Sequence, residues 1–167
     1  MFDVLSRMVR TGILTETPAA APCTDELQRG IYRILGRALC IRHVDAGSCN
    51  GCELELQALN NPYYNLEGMG IKFVASPRHA DLLLVTGPVS VNMEEALRRT
   101  WDAVPDPKLV VAVGDCAECG GIFGKSYASR GGVGDVIPVN HTIHGCPPTP
   151  AAILSGILEA VSRLSEV

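Results

Sequence analysis

The sequence predicts an α/β fold in which a parallel sheet carries helices on both faces. Three observations lead there. Short apolar runs alternate along the chain with segments of helical spacing, the pattern of strand–helix–strand units. Two of the runs, Leu82–Thr86 (LLLVT) and Leu109–Val113 (LVVAV), are apolar almost throughout, as expected of strands buried on both sides. The residues best suited to chemistry fall in loops that follow predicted strands. In an open α/β sheet, the loops at the carboxyl ends of the strands form the ligand crevice.

In chain order, residues 2–13 have the spacing of a short amphipathic helix, with Phe2, Leu5, Met8, Val9 and Ile13 on one stripe. Residues 15–22 (TETPAAAP) read as a proline-bearing linker. Residues 1–24 are thus assigned to an N-terminal helix and linker, and residues 25–167 to a single α/β domain. Within it, helices are expected over 25–39, 52–59, 93–103 and 148–164. Strands are expected over 40–44, 71–75, 82–86, 109–113 and 135–139. Prolines at the start of the last helix occupy positions where no N–H is needed.

A chain of 167 residues can bury a core without a disulfide or metal to hold it. A net charge of −4 argues against a broad nucleic-acid footprint. No apolar run approaches the roughly 20 residues that span a bilayer, and the first residues lack a secretory pattern. The chain reads as intracellular. Thiols stay reduced in that compartment, so its seven cysteines point to metal or catalysis.

Five of the seven lie in predicted loops: Cys49-x2-Cys52, Cys116-x2-Cys119 and Cys146. Two four-sulfur sites can be drawn. Both CxxC pairs together would make a structural zinc site. Cys49, Cys52, Cys116 and Cys146 would instead hold an iron–sulfur cluster. Three features favour the cluster. Cys146 precedes Pro147, as in the Cys-Pro endings of iron–sulfur motifs. Cys116 sits in the glycine-rich GDCAECGGIFG, where backbone N–H groups can approach sulfur. The 63 residues between Cys52 and Cys116 far exceed the usual spacing of roughly 15–20 in a zinc ribbon. Two all-cysteine [4Fe–4S] clusters would need eight thiolates, so one is the maximum. Cys40, in a predicted strand, reads as a small buried hydrophobe, and Cys23 as incidental.

The motifs SCNGCELE, SPRHADLLLVTGPV, GDCAECGGIFG and IHGCPPTP occur in that order. Together they resemble the superfamily of the complex I 20 kDa subunit and the [NiFe]-hydrogenase small subunit, over residues 38–163. The CxxC form resembles small subunits of energy-converting, membrane-bound hydrogenases of the formate hydrogenlyase or hydrogenase-4 type. The resemblance implies a flavodoxin-like fold with one [4Fe–4S] cluster on Cys49, Cys52, Cys116 and Cys146. It implies electron transfer beside a large [NiFe] or 49 kDa-type subunit, with a ferredoxin-like iron–sulfur subunit and membrane-arm subunits in the same complex. The expected location is peripheral, on the cytoplasmic side of the cell membrane. Two departures matter. Complex I subunits have adjacent cysteines at the first motif, which shifts preference towards hydrogenase and leaves quinone reduction second. Cys119 is not required by the family pattern and keeps the zinc-module alternative open.

Other residues could act around such a cluster. Arg78 in the SPR motif is the candidate cation. Glu53, directly after Cys52, reads as a helix-start carboxylate or as a proton relay. Gly121 is expected to shape a cluster loop, and His144, beside Gly145 and Cys146, to tune it. No GxGxxG or P-loop lysine pattern is present, which argues against nucleotide binding.

Overall fold

The computed structural model describes residues 24–164. Five strands form one parallel sheet: β1 (Leu39–Asp45), β2 (Ile71–Phe73), β3 (Leu82–Thr86), β5 (Leu109–Val113) and β7 (His141–Ile143). Their spatial order is β2-β1-β3-β5-β7, the flavodoxin-like order. A small antiparallel ribbon joins β4 (Val89–Ser90) to β6 (Ser129–Gly131). Five helices surround these strands: α1 (Thr24–Leu35), α2 (Gly51–Ala58), α3 (Val91–Ala103), α4 (Asp115–Cys119) and α5 (Pro150–Leu164).

Alternation along the central strands divides the core in two. Leu82 and Leu84 of β3, with Leu109, Val111 and Val113 of β5, face Leu56 of α2 and Ile153, Leu154 and Ile157 of α5. Leu83, Val85, Val110 and Ala112 face the other way, towards Leu97 of α3 and Val133, Val136 and Ile137. Every residue of β3 and β5 is buried, which explains why both runs lack an alternating polar face.

The sheet lies close to expectation, with two corrections. The first helix stops at Leu35, short of the expected residue 39, because β1 begins at Leu39. Asp81 holds the start of that strand: its carboxylate accepts the Cys40 N–H at 3.0 Å and pairs with Arg37. Replacing Asp81 with alanine would strand the buried Cys40 N–H. We expect a loss of about 1–3 kcal/mol in stability, measured by urea unfolding.

The second correction concerns residues 135–139. No strand forms there; Val133–Asp135 is a 3-10 turn, and the edge strand is β7 at His141–Ile143. Pro138 lacks an N–H for a ladder, and Val136 and Ile137 are buried in the second core. Asn140 bridges the gap. Its N–H donates to Val110 O, and its side-chain oxygen accepts the Val110 N–H at 2.8 Å. The expected helix over 2–13, the linker and Cys23 lie outside the described residues.

Candidate metal centre at the carboxyl ends of the strands

Three loops at one end of the sheet carry the candidate ligands. After β1, the Asp45 carboxylate accepts the N–H groups of Gly47 and Ser48, each at 2.8 Å, and turns the chain. Asn50 then takes a left-handed conformation, φ 71°, immediately before α2. This turn leaves Cys49 exposed and directs Cys52 into the core, where it is 9% exposed. The second loop leaves β5 through Gly114 into α4, which carries Cys116. The third leaves β7 and reaches Cys146 within three residues of Ile143.

The second and third loops are tied together by four contacts. Gly114 N–H donates to Ile143 O at 2.7 Å, and Asp115 N–H to Gly145 O at 3.0 Å. The Asp115 carboxylate accepts the Gly145 N–H at 2.8 Å. His144 Nδ1 lies 3.0 Å from Glu118 Oε2. His144 thus couples α4 to the loop before Cys146. Sequence reasoning missed Asp115, although an aspartate between a loop glycine and a ligand cysteine has the chemistry to hold such a turn.

The thiols of Cys49, Cys52, Cys116 and Cys146 share one electrostatic environment. Burial, then the neighbouring Glu53, Cys49, Cys116 and Cys146, push the Cys52 thiol up to about 12. Cys116 is raised first by burial, then by Cys146 and Cys49, and the Cys146 side chain hydrogen-bonds to it. Cys119 faces elsewhere. It is exposed, and its sulfur lies 3.3 Å from Asp115 O within α4. In the metal-free chain at pH 8, iodoacetamide should label Cys119 far faster than Cys52, because burial keeps Cys52 both covered and protonated. Peptide mass mapping over time reads that order.

Two glycines are fitted to the sulfurs. A Cβ on Gly114 would lie 2.8 Å from Cys52 Sγ, and one on Gly121 would lie 2.7 Å from Cys116 Sγ. Both have positive φ, 87° and 53°. The cradle therefore has soft donors, small residues against them, and partial burial, which suits an iron–sulfur cluster. Spacing bears on zinc. Four thiolates on one zinc ion, with Zn–S of about 2.3 Å, would stand about 3.8 Å apart. Among the described residues, no three of the thiols lie within 4.8 Å of one another.

Other expected residues fall differently. Arg78 lies in the 3-10 turn Pro77–His79, which leads into the amino end of β3. The ligand loops leave the carboxyl ends, so the sheet separates Arg78 from the thiols. It borders a surface pocket with Arg37, Lys72 and His79. The SPRHAD segment instead contributes through Asp81, as described above. Cys40 is buried in β1, as expected of a small hydrophobe. Glu53 lies in the first turn of α2, as expected of a helix-start carboxylate, but its side chain makes no hydrogen bond and the residue is only 7% exposed. Its Oε1 is 3.9 Å from His43 Nε2. His43, which sequence reasoning did not single out, lies 2.9 Å from Thr86 Oγ1, and burial lowers the pKa of its imidazole.

Among the described residues, no helix is long and apolar enough to cross a membrane. Comparison with known proteins gives consistent results. The chain is 42% identical to "Probable membrane-bound hydrogenase subunit mbhJ" of Pyrococcus furiosus, over 82% of each chain. It is 42% identical to formate hydrogenlyase subunit 7 of Escherichia coli K12 over 84% of its length, a match that spans 55% of that longer protein. Among solved structures, a chain of the membrane-bound sulfane sulfur reductase, an archaeal respiratory membrane complex, is similar with a TM-score of 0.69. That match is 33% identical and covers 84% of this chain and 77% of the other. The model of the NADH ubiquinone oxidoreductase 20 kDa subunit family matches residues 49–160, from the first candidate ligand to the middle of α5. With these relatives and this sheet, the chain belongs to the NADH ubiquinone oxidoreductase 20 kDa subunit family of oxidoreductase subunits.

Proposed function

We propose that this chain is the electron-transfer subunit of a membrane-associated, energy-converting hydrogenase complex, holding one [4Fe–4S] cluster beside a [NiFe] large subunit. The observation that carries the reading is the convergence of Cys49, Cys52, Cys116 and Cys146 at one end of the sheet. The contact of the Cys119 sulfur with a carbonyl of its own helix supports leaving it out of the set. Bound there, the cluster would supply reversible one-electron storage. The chain's own residues do the rest. Cys52 anchors the inner side of the site from the core, while Cys49 and Cys146 stand on the outer side. The ties between Asp115 and Gly145, and between His144 and Glu118, fix the separation of the second and third ligand loops.

The CxxC spacing at the first motif, together with hydrogenase-subunit relatives over most of the chain, supports hydrogenase. The family's own description favours a second reading, a complex I-type subunit that passes electrons to quinone. In either case the chain would sit peripherally at the cytoplasmic side of the cell membrane. Its neighbours would be a large subunit, a ferredoxin-like subunit and, through them, a membrane arm.

The test uses the purified complex. Hydrogen should reduce an EPR-detectable cluster in this subunit, and the Cys52→Ser variant should lose that signal. Reduction by NADH with quinone turnover, and no response to hydrogen, would establish the second reading. A colourless subunit with stoichiometric zinc would overturn both.

A further inference from the structure

The pocket beside Arg78, at the end of the sheet away from the cysteines, has a volume of about 530 Å³. Alternation along β1 places Cys40 on the opposite face from Leu39 and Ile41, which belong to the first core. Lys72 of β2 is the register partner of Cys40, and so shares its face. On that face only Val44 of β1 enters the second core. A concavity remains at the amino end of β1 and β2, with buried Cys40 and Ala80 in its lining.

Four basic side chains converge on it from three segments: Arg37 before β1, Lys72 in β2, and Arg78 with His79 in the 3-10 turn. Among the described residues no carboxylate lines it, although the chain has a net charge of −4. Asp81 answers only Arg37: it pairs with that guanidinium and accepts the Cys40 N–H. Lys72 and Arg78 are exposed and have no hydrogen-bond or ion-pair partner among the described residues. Like charges gathered without a counter-charge repel one another, so internal packing does not account for the cluster.

We propose that this pocket binds a phosphate group, carried either by a soluble phosphorylated molecule or by an anionic lipid headgroup. The donors identify the chemistry. Arriving from three segments, they suit a tetrahedral oxyanion, whose oxygens diverge, better than a planar carboxylate. Guanidinium forks bind phosphate through paired N–H groups, and an ammonium adds a point charge. The volume lies within the range of small-ligand sites. Because the thiols lie at the carboxyl ends of the strands and this pocket at the amino ends, the inference does not depend on the cluster.

The experiment has two arms and compares the full wild-type chain with two double variants. Lys72→Gln with Arg78→Gln removes two charges from the pocket. Arg98→Gln with Arg99→Gln removes the same charge from exposed positions on α3 and serves as the control. In the first arm, inorganic phosphate is titrated by calorimetry, against chloride at equal ionic strength. Wild type and control should bind phosphate, and the pocket variant should bind it at least about tenfold more weakly. In the second arm, the same proteins are co-sedimented with phosphatidylcholine vesicles, with and without phosphatidylglycerol.

Loss of the pocket variant alone from the phosphatidylglycerol vesicles would assign the phosphate to a lipid headgroup. Weakened phosphate binding in that variant without such a loss would assign it to a soluble ligand. Either result upholds the site. Equal behaviour of the pocket variant and the control in both arms would show diffuse charge attraction or no binding, and would overturn the proposal. Both replaced pocket residues are exposed and unpaired, so the variant keeps its fold and its iron content.

Discussion

Cys146→Ser should strip most of the iron from this chain, whereas Cys119→Ser should leave it in place. The two cysteines are close in sequence chemistry but not in geometry. Cys146 shares its environment with Cys116, Cys52 and Cys49, and its side chain reaches Cys116. Cys119 lies against a carbonyl of its own helix. A serine oxygen is a harder donor than thiolate and matches iron–sulfur chemistry poorly. We expect iron content in Cys146→Ser to fall to less than about a third of wild type under anaerobic purification. Cys119→Ser should retain the full visible absorption and EPR signal. The opposite result would mean that the zinc-type set, Cys49, Cys52, Cys116 and Cys119, is the true one.

Gly114→Ala should be nearly as damaging, although it removes no ligand. The backbone at this position has φ 87° and ψ 159°, a region essentially reserved for glycine that costs an alanine roughly 1–3 kcal/mol. The new methyl would also stand 2.8 Å from Cys52 Sγ and 3.2 Å from Gly145 O, so two ligand loops must give way together. Overpacking of this kind adds roughly 1–3 kcal/mol. We expect a total destabilisation of about 2–6 kcal/mol and a marked loss of bound iron. Thermal melts and iron assays on the same preparation measure both. A variant that melts normally yet lacks iron would place the whole effect in the site. One with normal iron and normal stability would show that the cradle has more slack than its geometry implies.

The central sheet was legible because β3 and β5 are buried on both faces and say so in their composition. The edge was not. β7 is three residues of mixed polarity, His-Thr-Ile, and its register depends on Asn140 lending a side chain to the ladder. Periodicity has no means of registering such a substitution. The cysteine loops were legible for a different reason: thiols in glycine-rich segments after strands are rare enough to stand out. Arg78 was misplaced because a motif reports sequence proximity, while strand direction decides which end of the sheet a residue occupies. Glu53 was noticed, but as a capping or relay group. Its orphaned burial depends on what α2, β1 and β2 leave uncovered, which only the packed structure specifies.

The unequal burial of the four cysteines gives the site a direction. Cys52 is rooted in the core, whereas Cys49 and Cys146 are open to solvent. Around a bound cluster the inner wall would insulate, and the outer wall would be an uncovered electrical contact. Oxygen or a chelator would approach the free subunit along the same route by which electrons would enter or leave. A partner that closes this face would therefore serve as both conductor and shield, and redox integrity would become a property of assembly rather than of this chain alone.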